Sequence, residues 1–133
     1  MATVTSPDFQ HADLTDAILG AYFAVYNALG TGYLEAVYRR AMAMELRARG
    51  MPLALEVPFP VHYRGECVGQ YRADIVVART VIVECKAADQ LSKAHDAQLL
   101  NYLKASALPV GLVLNFGPRT GIRRIHTGPR PRP

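Results

Sequence analysis

Residues 72–86 decide the fold of this chain, and they read RADIVVARTVIVECK. Two runs rich in β-branched residues flank a short break, which is the pattern of two strands joined by a turn. The pattern predicts a strand over residues 68–77, a turn at residues 78–80 and another strand from Val81 to Lys86. Because the connection is short, the strands should pair antiparallel. The hairpin then places Asp74 opposite Glu84.

The charged residues of this hairpin are the candidates for chemistry. Residues two apart on a strand point to the same face, so Glu84 and Lys86 project together and Cys85 faces the other way. Asp74 and Glu84 would offer the hard oxygen ligands that Mg²⁺ or Mn²⁺ prefers. Lys86 could orient or deprotonate an attacking water beside such a metal. Taken alone, the same three residues are also compatible with ordinary ion pairs on a surface hairpin.

Two helices are predicted before the hairpin. Apolar residues at helical spacing indicate a first helix over about residues 14–29, with Asp13 as a plausible N-cap and Gly30 as a plausible stop. A second helix should begin after Gly32 and end before Gly50.

The remaining elements complete an α/β order. An edge strand is predicted over residues 57–63, because prolines are tolerated mainly at sheet edges, and a turn follows at Gly65-Glu66. A third helix should start from the cap Ser92 and run to about residue 106. The fully apolar stretch 110–116 predicts a buried central strand, and residues 122–125 a short final strand. The order α-α-β-β-β-α-β, with one more strand, predicts an α/β sandwich around a mixed sheet flanked by helices.

Two further motifs share helix faces. Gln98 and Tyr102 lie four residues apart, so they can face the candidate site together, or form a half-buried core residue and a solvated one. Glu35 and Tyr38 lie one turn apart after Gly32. Spacing alone leaves two roles open for Glu35: a group that faces a site, or the N3 residue of a capping box on Gly32.

These motifs together resemble the GxxExxY proteins, which look like a compact branch of the PD-(D/E)XK nuclease superfamily. The resemblance covers roughly residues 14–125 and is carried by GYLEAVY (32–38), RADIVV (72–77), VIVECK (81–86), QLLNYLK (98–104) and LNFG (114–117). It implies a PD-(D/E)XK nuclease-like sandwich. It also implies that Asp74 and Glu84 bind the metal, that Glu35 supplies an extra acidic ligand, and that Lys86 positions water. For Gln98 and Tyr102 it implies contacts with the substrate or with the surroundings of the metal.

The charge distribution indicates a polyanionic partner. Net charge is +4, but residues 117–133 hold five arginines and no acid, which leaves ten basic residues against eleven acidic ones before position 117. Such a cluster suits nucleic acid, and a solvated tail is the alternative for the terminal Pro-Arg repeat. The residues predicted to contact substrate are Gln98, Tyr102, Tyr38, Arg123 and Arg124.

Bulk composition narrows the class of protein. The 133 residues, half of them hydrophobic, fit one domain over residues 1–133 with a core at about 14–125 and flexible ends at 1–12 and 127–133. No apolar run reaches the ~20 residues of a membrane span, and no secretory signal is recognisable. Cys67 and Cys85 lack metal-type spacing, which predicts free thiols and a cytoplasmic location.

Two functions follow as hypotheses. The first is a metal-dependent phosphodiesterase that hydrolyses nucleic acid, DNA in the first instance, with Mg²⁺ or Mn²⁺. The second is a module that binds nucleic acid or a partner protein and keeps the nuclease fold without turnover. A chain of this size has little surface for binding a duplex. We therefore also allow for a homodimer or a partner protein that completes the binding groove.

Overall fold

The computed structural model describes residues 11–127 of the chain. Three helices and five strands follow one another in the predicted order. Their bounds are α1 Ala12–Leu29, α2 Glu35–Ala48, β1 Leu53–Tyr63, β2 Glu66–Val77, β3 Val81–Lys86, α3 Lys93–Ser106, β4 Val110–Asn115 and β5 Gly121–His126.

The strands form one mixed sheet in the order β1-β2-β3-β4-β5. β3 and β4 are parallel, with α3 as the crossover between them, and the other three pairings are antiparallel. The α/β class, the mixed sheet, the edge position of β1 and the interior position of β4 are therefore confirmed.

Helices cover both faces of the sheet. Buried residues of α1 and α2 pack on one face with Ile75, Val83 and Cys85. Leu99 and Leu103 of α3 pack on the other face with Ile82 and Val113. Since alternate residues of β3 enter opposite clusters, Glu84 lies on the α3 face of the sheet and Cys85 on the opposite face, as the sequence predicted.

The start of each of the first two helices differs from the prediction. α1 begins at Ala12, and the backbone N–H of Thr15 already bonds to the carbonyl of His11, so Asp13 lies inside the first turn and is not the N-cap. α2 begins at Glu35 with Leu34 as its N-cap. Gly32 cannot take that role because its φ of 116° is outside the extended region that N-caps adopt.

Other boundaries confirm or refine the sequence pattern. Gly30 ends α1 at φ 66°, and Ser92 caps α3 in a box closed by His95. The β1–β2 hairpin turns at Arg64-Gly65 and not at Gly65-Glu66, because both turn residues have the positive φ that a two-residue hairpin loop requires.

The ends predicted to be flexible fall mostly outside the described residues, which exclude 1–10 and 128–133. At the inner margins the described residues begin and end in hydrogen-bonded structure. Ala12 already belongs to α1, and the N–H of Thr127 donates to the carbonyl of Pro109 at 2.7 Å. Across residues 11–127, no helix combines the length and apolarity required to cross a bilayer.

Candidate functional site

β2 and β3 separate at the two predicted metal ligands. Their backbone pairing comprises Val77–Val81, Val76–Ile82 and Ile75–Val83. Continued by one step, this register would place Asp74 opposite Glu84, but the ladder stops there.

Beyond the end of the ladder, hydrogen bonds from the backbone of each strand to a side chain of the other connect β2 and β3. The backbone N–H of Asp74 donates to Oε2 of Glu84 at 2.7 Å, and the N–H of Cys85 donates to Oδ2 of Asp74 at 3.1 Å. Each carboxylate is therefore fixed by the backbone of the opposite strand. We call this arrangement of Asp74, Glu84 and the Cys85 amide the β2–β3 fork.

The alternation of β2 also breaks at the fork. Ala73 packs in the cluster under α3, whereas Ile75, two residues later, packs in the cluster under α1 and α2. On the neighbouring strand, Glu56 has a φ of 48° and is skipped in the β1–β2 register. Asp74 thus sits where the strand changes face, so side chains from both helical layers can reach it.

Arg39 of α2 is the residue that reaches Asp74 from the first layer. Its Nη1 lies 3.4 Å from Oδ1 of Asp74, and the two side chains are 30% and 18% exposed. Sequence reasoning missed this residue. The available signal was its position four residues after Glu35, which places it on the same helix face one turn later.

Glu84 is the most strongly perturbed acid of the site. It is 3% exposed. Burial raises the pKa of its carboxyl to about 8, and the nearby charge of Asp74 adds to the rise. The hydrogen bond from the Asp74 amide and the charges of Lys86 and Arg39 oppose the shift without cancelling it. Near neutral pH the protonated form of Glu84 is therefore favoured, and a bound cation would favour its ionised form.

Lys86 ends β3 on the same face as Glu84. It is half-buried, and its backbone carbonyl accepts the N–H of Phe116 at 2.7 Å, which fixes the end of the strand. Its charge also acts on Glu84, whose pKa it lowers, so Lys86 lies within electrostatic reach of the fork.

α3 brings Gln98 and Tyr102 over the same face. The pKa of Tyr102 is raised by burial and then by the charges of Glu84 and Asp74, which places its hydroxyl within electrostatic reach of the fork. Nε2 of Gln98 lies 3.5 Å from that hydroxyl, and the ring of Tyr71 meets the ring of Tyr102 edge-on at 5.4 Å. Tyr102 therefore lies near the carboxylates with Gln98 beside it, and their contact with substrate stays a prediction.

Glu35 does not join the carboxylates. Its side chain is exposed at the first residue of α2, and within residues 11–127 no three His, Cys, Asp or Glu residues come close enough to share a metal ion. The structure does not bring Glu35 into contact with Asp74 or Glu84, and its role as an additional ligand stays a prediction. Its capping role is wrong, because Glu35 is the first residue of the helix and not the third. Arg39, one turn further along, makes the contact with Asp74 instead.

Tyr38 is buried and carries a structural contact. Its hydroxyl donates to the carbonyl of Gly30 at 2.6 Å and accepts the N–H of Tyr33 at 3.2 Å. Its ring stacks on Phe116 at a centroid distance of 4.4 Å. With no exposed surface, Tyr38 cannot contact a substrate, and this part of the prediction is corrected.

Tyr38→Phe tests this reassignment. The substitution keeps the stacked ring and removes the hydroxyl that ties the loop after α1 to α2. We expect a loss of about 1 kcal/mol in the free energy of unfolding, measured in urea, with substrate affinity unchanged. If Tyr38→Phe kept the parental stability but bound substrate more weakly, Tyr38 would again be assigned to the substrate-binding site.

The two arginines predicted on β5 face different ways. Arg123 lies in register with Val113 and, through it, with Glu84, so it shares the face of the fork two strands away. Its Nε forms an ion pair with Asp96 of α3 at 3.2 Å. Arg124 belongs to the opposite face, in register with Leu112, so the alternation of the strand keeps it from the fork.

The donor chemistry of the fork fits a hard divalent cation. Mg²⁺ is usually held by one or two carboxylates plus substrate phosphates and water, not by a complete protein cage. Asp74 Oδ1 already faces the cationic Arg39, and among the described residues no group donates a hydrogen bond to Oε1 of Glu84. Oε1 of Glu84 is thus available to a cation such as Mg²⁺ or Mn²⁺, and Oδ1 of Asp74 would be available to it in place of Arg39.

Comparisons with known proteins concern the family and the fold of the chain. The model of the PD-(D/E)XK nuclease superfamily matches residues 12–125. The crystal structure of SSO0001 aligns with a TM-score of 0.52 at 18% identity, over 71% of this chain and 52% of that one, so the chain spans about half its length. The Holliday junction resolvase Hjc of Archaeoglobus fulgidus aligns with a TM-score of 0.42 at 21% identity, over 68% and 75%. No curated protein matches the chain in sequence.

Proposed function

The chain belongs to the PD-(D/E)XK nuclease superfamily, and from this premise we propose that it is a metal-dependent phosphodiesterase that hydrolyses nucleic acid, with DNA as the first substrate to test. The observation that carries the proposal is the β2–β3 fork. There the carboxylates of Asp74 and Glu84 lie on adjacent strands, and the charge of Lys86 acts on Glu84. A buried acid with a pKa near 8 next to a second acid is costly for stability and is typical of functional sites.

Asp74 and Glu84 would hold Mg²⁺ or Mn²⁺ through their carboxylate oxygens. When bound, the metal would polarise the phosphate and make a water more acidic. The backbone N–H groups of Asp74 and Cys85 keep both carboxylates oriented without help from solvent. This preorganisation means that the site needs little rearrangement to bind a cation.

Lys86 and the α3 residues would act on the substrate. The ammonium group of Lys86 presents three donors, so it can hold a water by its oxygen and neutralise charge on the phosphate. Gln98 and Tyr102 offer an amide and a hydroxyl that can donate to phosphate oxygens. Arg39 neutralises Asp74 in the structure described here, and its second role would be to bind the phosphate once the carboxylate has a metal partner.

The second candidate is a binding module without turnover. The observation that favours it is the Arg39–Asp74 ion pair, because a guanidinium already fills part of the cation's role. The exposure of Glu35 favours it as well, since two carboxylates remain where the sequence predicted three.

Cleavage assays on labelled single-stranded, duplex and branched DNA and on RNA distinguish the two candidates. We expect cleavage with Mg²⁺ or Mn²⁺ and none with EDTA. Binding to one of these substrates with no cleavage in any metal would favour the binding module. Cleavage that persists in EDTA would overturn the metal-dependent mechanism.

A further inference from the structure

A groove with a volume of about 500 Å³ runs between the outward face of α2 and strand β1. Its charged walls are Arg39, Arg40 and Arg47 on the helix and Glu56 on the strand, and Met44 and Leu55 supply apolar surface. We call it the α2–β1 groove. The charge balance of its walls is positive, with three guanidinium groups against one carboxylate.

Two of the three arginines, Arg40 and Arg47, lie along one line on the helix surface. Arg40 and Arg47 are both exposed, and seven residues on a helix correspond to two turns and a rise of about 10.5 Å. Within residues 11–127 neither of them forms an ion pair. The nearest acid on the helix, Glu45, is two residues from Arg47 and five from Arg40, so it does not face them, and it is bonded to Arg49 at 2.8 Å. Two unneutralised guanidinium groups on one helix face are a fit for a polymer with repeated negative charges.

The groove is continuous with the β2–β3 fork. Arg39 lines it and at the same time contacts Oδ1 of Asp74. A chain that follows the groove from Arg47 to Arg39 therefore arrives at the carboxylates.

The groove also exposes apolar surface. Met44 is 63% exposed and Leu55 is 41% exposed. A membrane headgroup or a free phosphate would make no use of such surface next to regularly spaced charges, whereas a nucleic-acid strand presents apolar sugar and base surfaces beside its phosphates.

We propose that the α2–β1 groove binds the phosphodiester backbone of a nucleic-acid strand and leads it to the β2–β3 fork. The proposal rests on the proposed function for the identity of the polymer. It assigns the main phosphate contacts to Arg40 and Arg47, and not to the arginines near the C-terminus.

The test is the double variant Arg40→Gln/Arg47→Gln, whose glutamines keep good helix propensity. Its control, Arg64→Gln/Arg79→Gln, removes the same charge from two exposed turn positions outside the groove. Affinity for a fluorescent 20-nucleotide single strand and a 20-base-pair duplex is measured in EDTA over a salt series. EDTA prevents cleavage, so binding is assessed separately from catalysis.

We expect the groove variant to bind at least about tenfold more weakly at low salt, with a log–log salt slope shallower by about 1.8 for duplex or about 1.4 for single strand. The control should keep most of the parental slope. Arg40→Lys/Arg47→Lys keeps both charges and should retain the slope. Glu56→Gln should act in the opposite direction and strengthen binding.

Three results would overturn the proposal. The first is an equal loss in the groove variant and its control, which would reveal a dependence on net charge alone. The second is a parent protein that binds neither nucleic acid. The third is binding of polyglutamate in the groove as tight as that of the strands, which would identify an acidic peptide as the ligand. A parent that binds but never cleaves would leave the groove intact and remove only the enzymatic proposal.

Discussion

Asp74→Asn is expected to reduce metal-dependent cleavage by at least about 1,000-fold, which corresponds to about 4 kcal/mol of transition-state stabilisation. The side chain lies at the fork, where Oδ1 is available to a cation and Oδ2 accepts the Cys85 amide. Asparagine has nearly the same shape and can still accept that amide through its oxygen, but it lacks the charge that holds a divalent ion. The expected loss is therefore one of metal binding and not of folding.

The matched control is Asp16→Asn, which removes an exposed carboxylate from α1. It should cleave like the parent. Thermal melts in EDTA should show Asp74→Asn to be at least as stable as the parent, because the substitution removes repulsion from the buried Glu84. Cleavage by Asp74→Asn within tenfold of the parent, in protein with a parental melt, would exclude Asp74 as a metal ligand.

The hairpin shows how far a sequence can predict such a site. The separation of Asp74 from Glu84 along the hairpin was sufficient to predict that the two residues meet. Alternation could not predict the face of Asp74, because the strand changes face there. That change depends on the partner strand, where Glu56 adopts a positive φ that an ordinary sequence pattern does not signal.

The helices show a second limit of prediction from sequence. Spacing placed Glu35 and Tyr38 on one helix face but did not predict how deeply either side chain is buried. In the structure Glu35 is exposed and Tyr38 is buried. The burial of Tyr38 depends on the loop after α1, where the carbonyl of Gly30 accepts a hydrogen bond from the Tyr38 hydroxyl. Arg39 was missed for a related reason. Its partner Asp74 is 35 residues away, and no local pattern links them.

The charge of a stretch of sequence does not give the pairing of its arginines in space. The sequence drew attention to the C-terminal arginines because no acid lies near them in the chain. Arg40 and Arg47 did not stand out in the count of charges, because acids lie near them in the chain. Among the described residues, however, the nearby acid Glu45 bonds to Arg49, and neither Arg40 nor Arg47 forms an ion pair. Conversely, Arg123, which had no acidic neighbour in sequence, pairs with Asp96.

Glu84 predicts an unusual dependence of stability on pH in the metal-free protein. Its pKa rises from 4.5 in the unfolded reference to about 8 in the fold, so the native state binds the proton more tightly than the unfolded state does. Stability is then highest at low pH with respect to this group. It falls as pH rises from about 4.5 through about 8, because the fold must accommodate the ionised acid. A shift of this size corresponds to a few kcal/mol.

Glu84→Gln isolates this effect from every other titrating group, since it replaces the acid with a neutral side chain of similar shape. We expect the variant and the parent to melt at similar temperatures near pH 5, and the variant to melt roughly 10 °C higher near pH 9. Mg²⁺ should raise the melting temperature of the parent at pH 8–9, because a bound cation balances the ionised pair, and it should have little effect on the variant. A difference in melting temperature that stays constant from pH 5 to pH 9 would show that the Glu84 carboxyl titrates normally, and the electrostatic case for a cation site at the fork would fail with it.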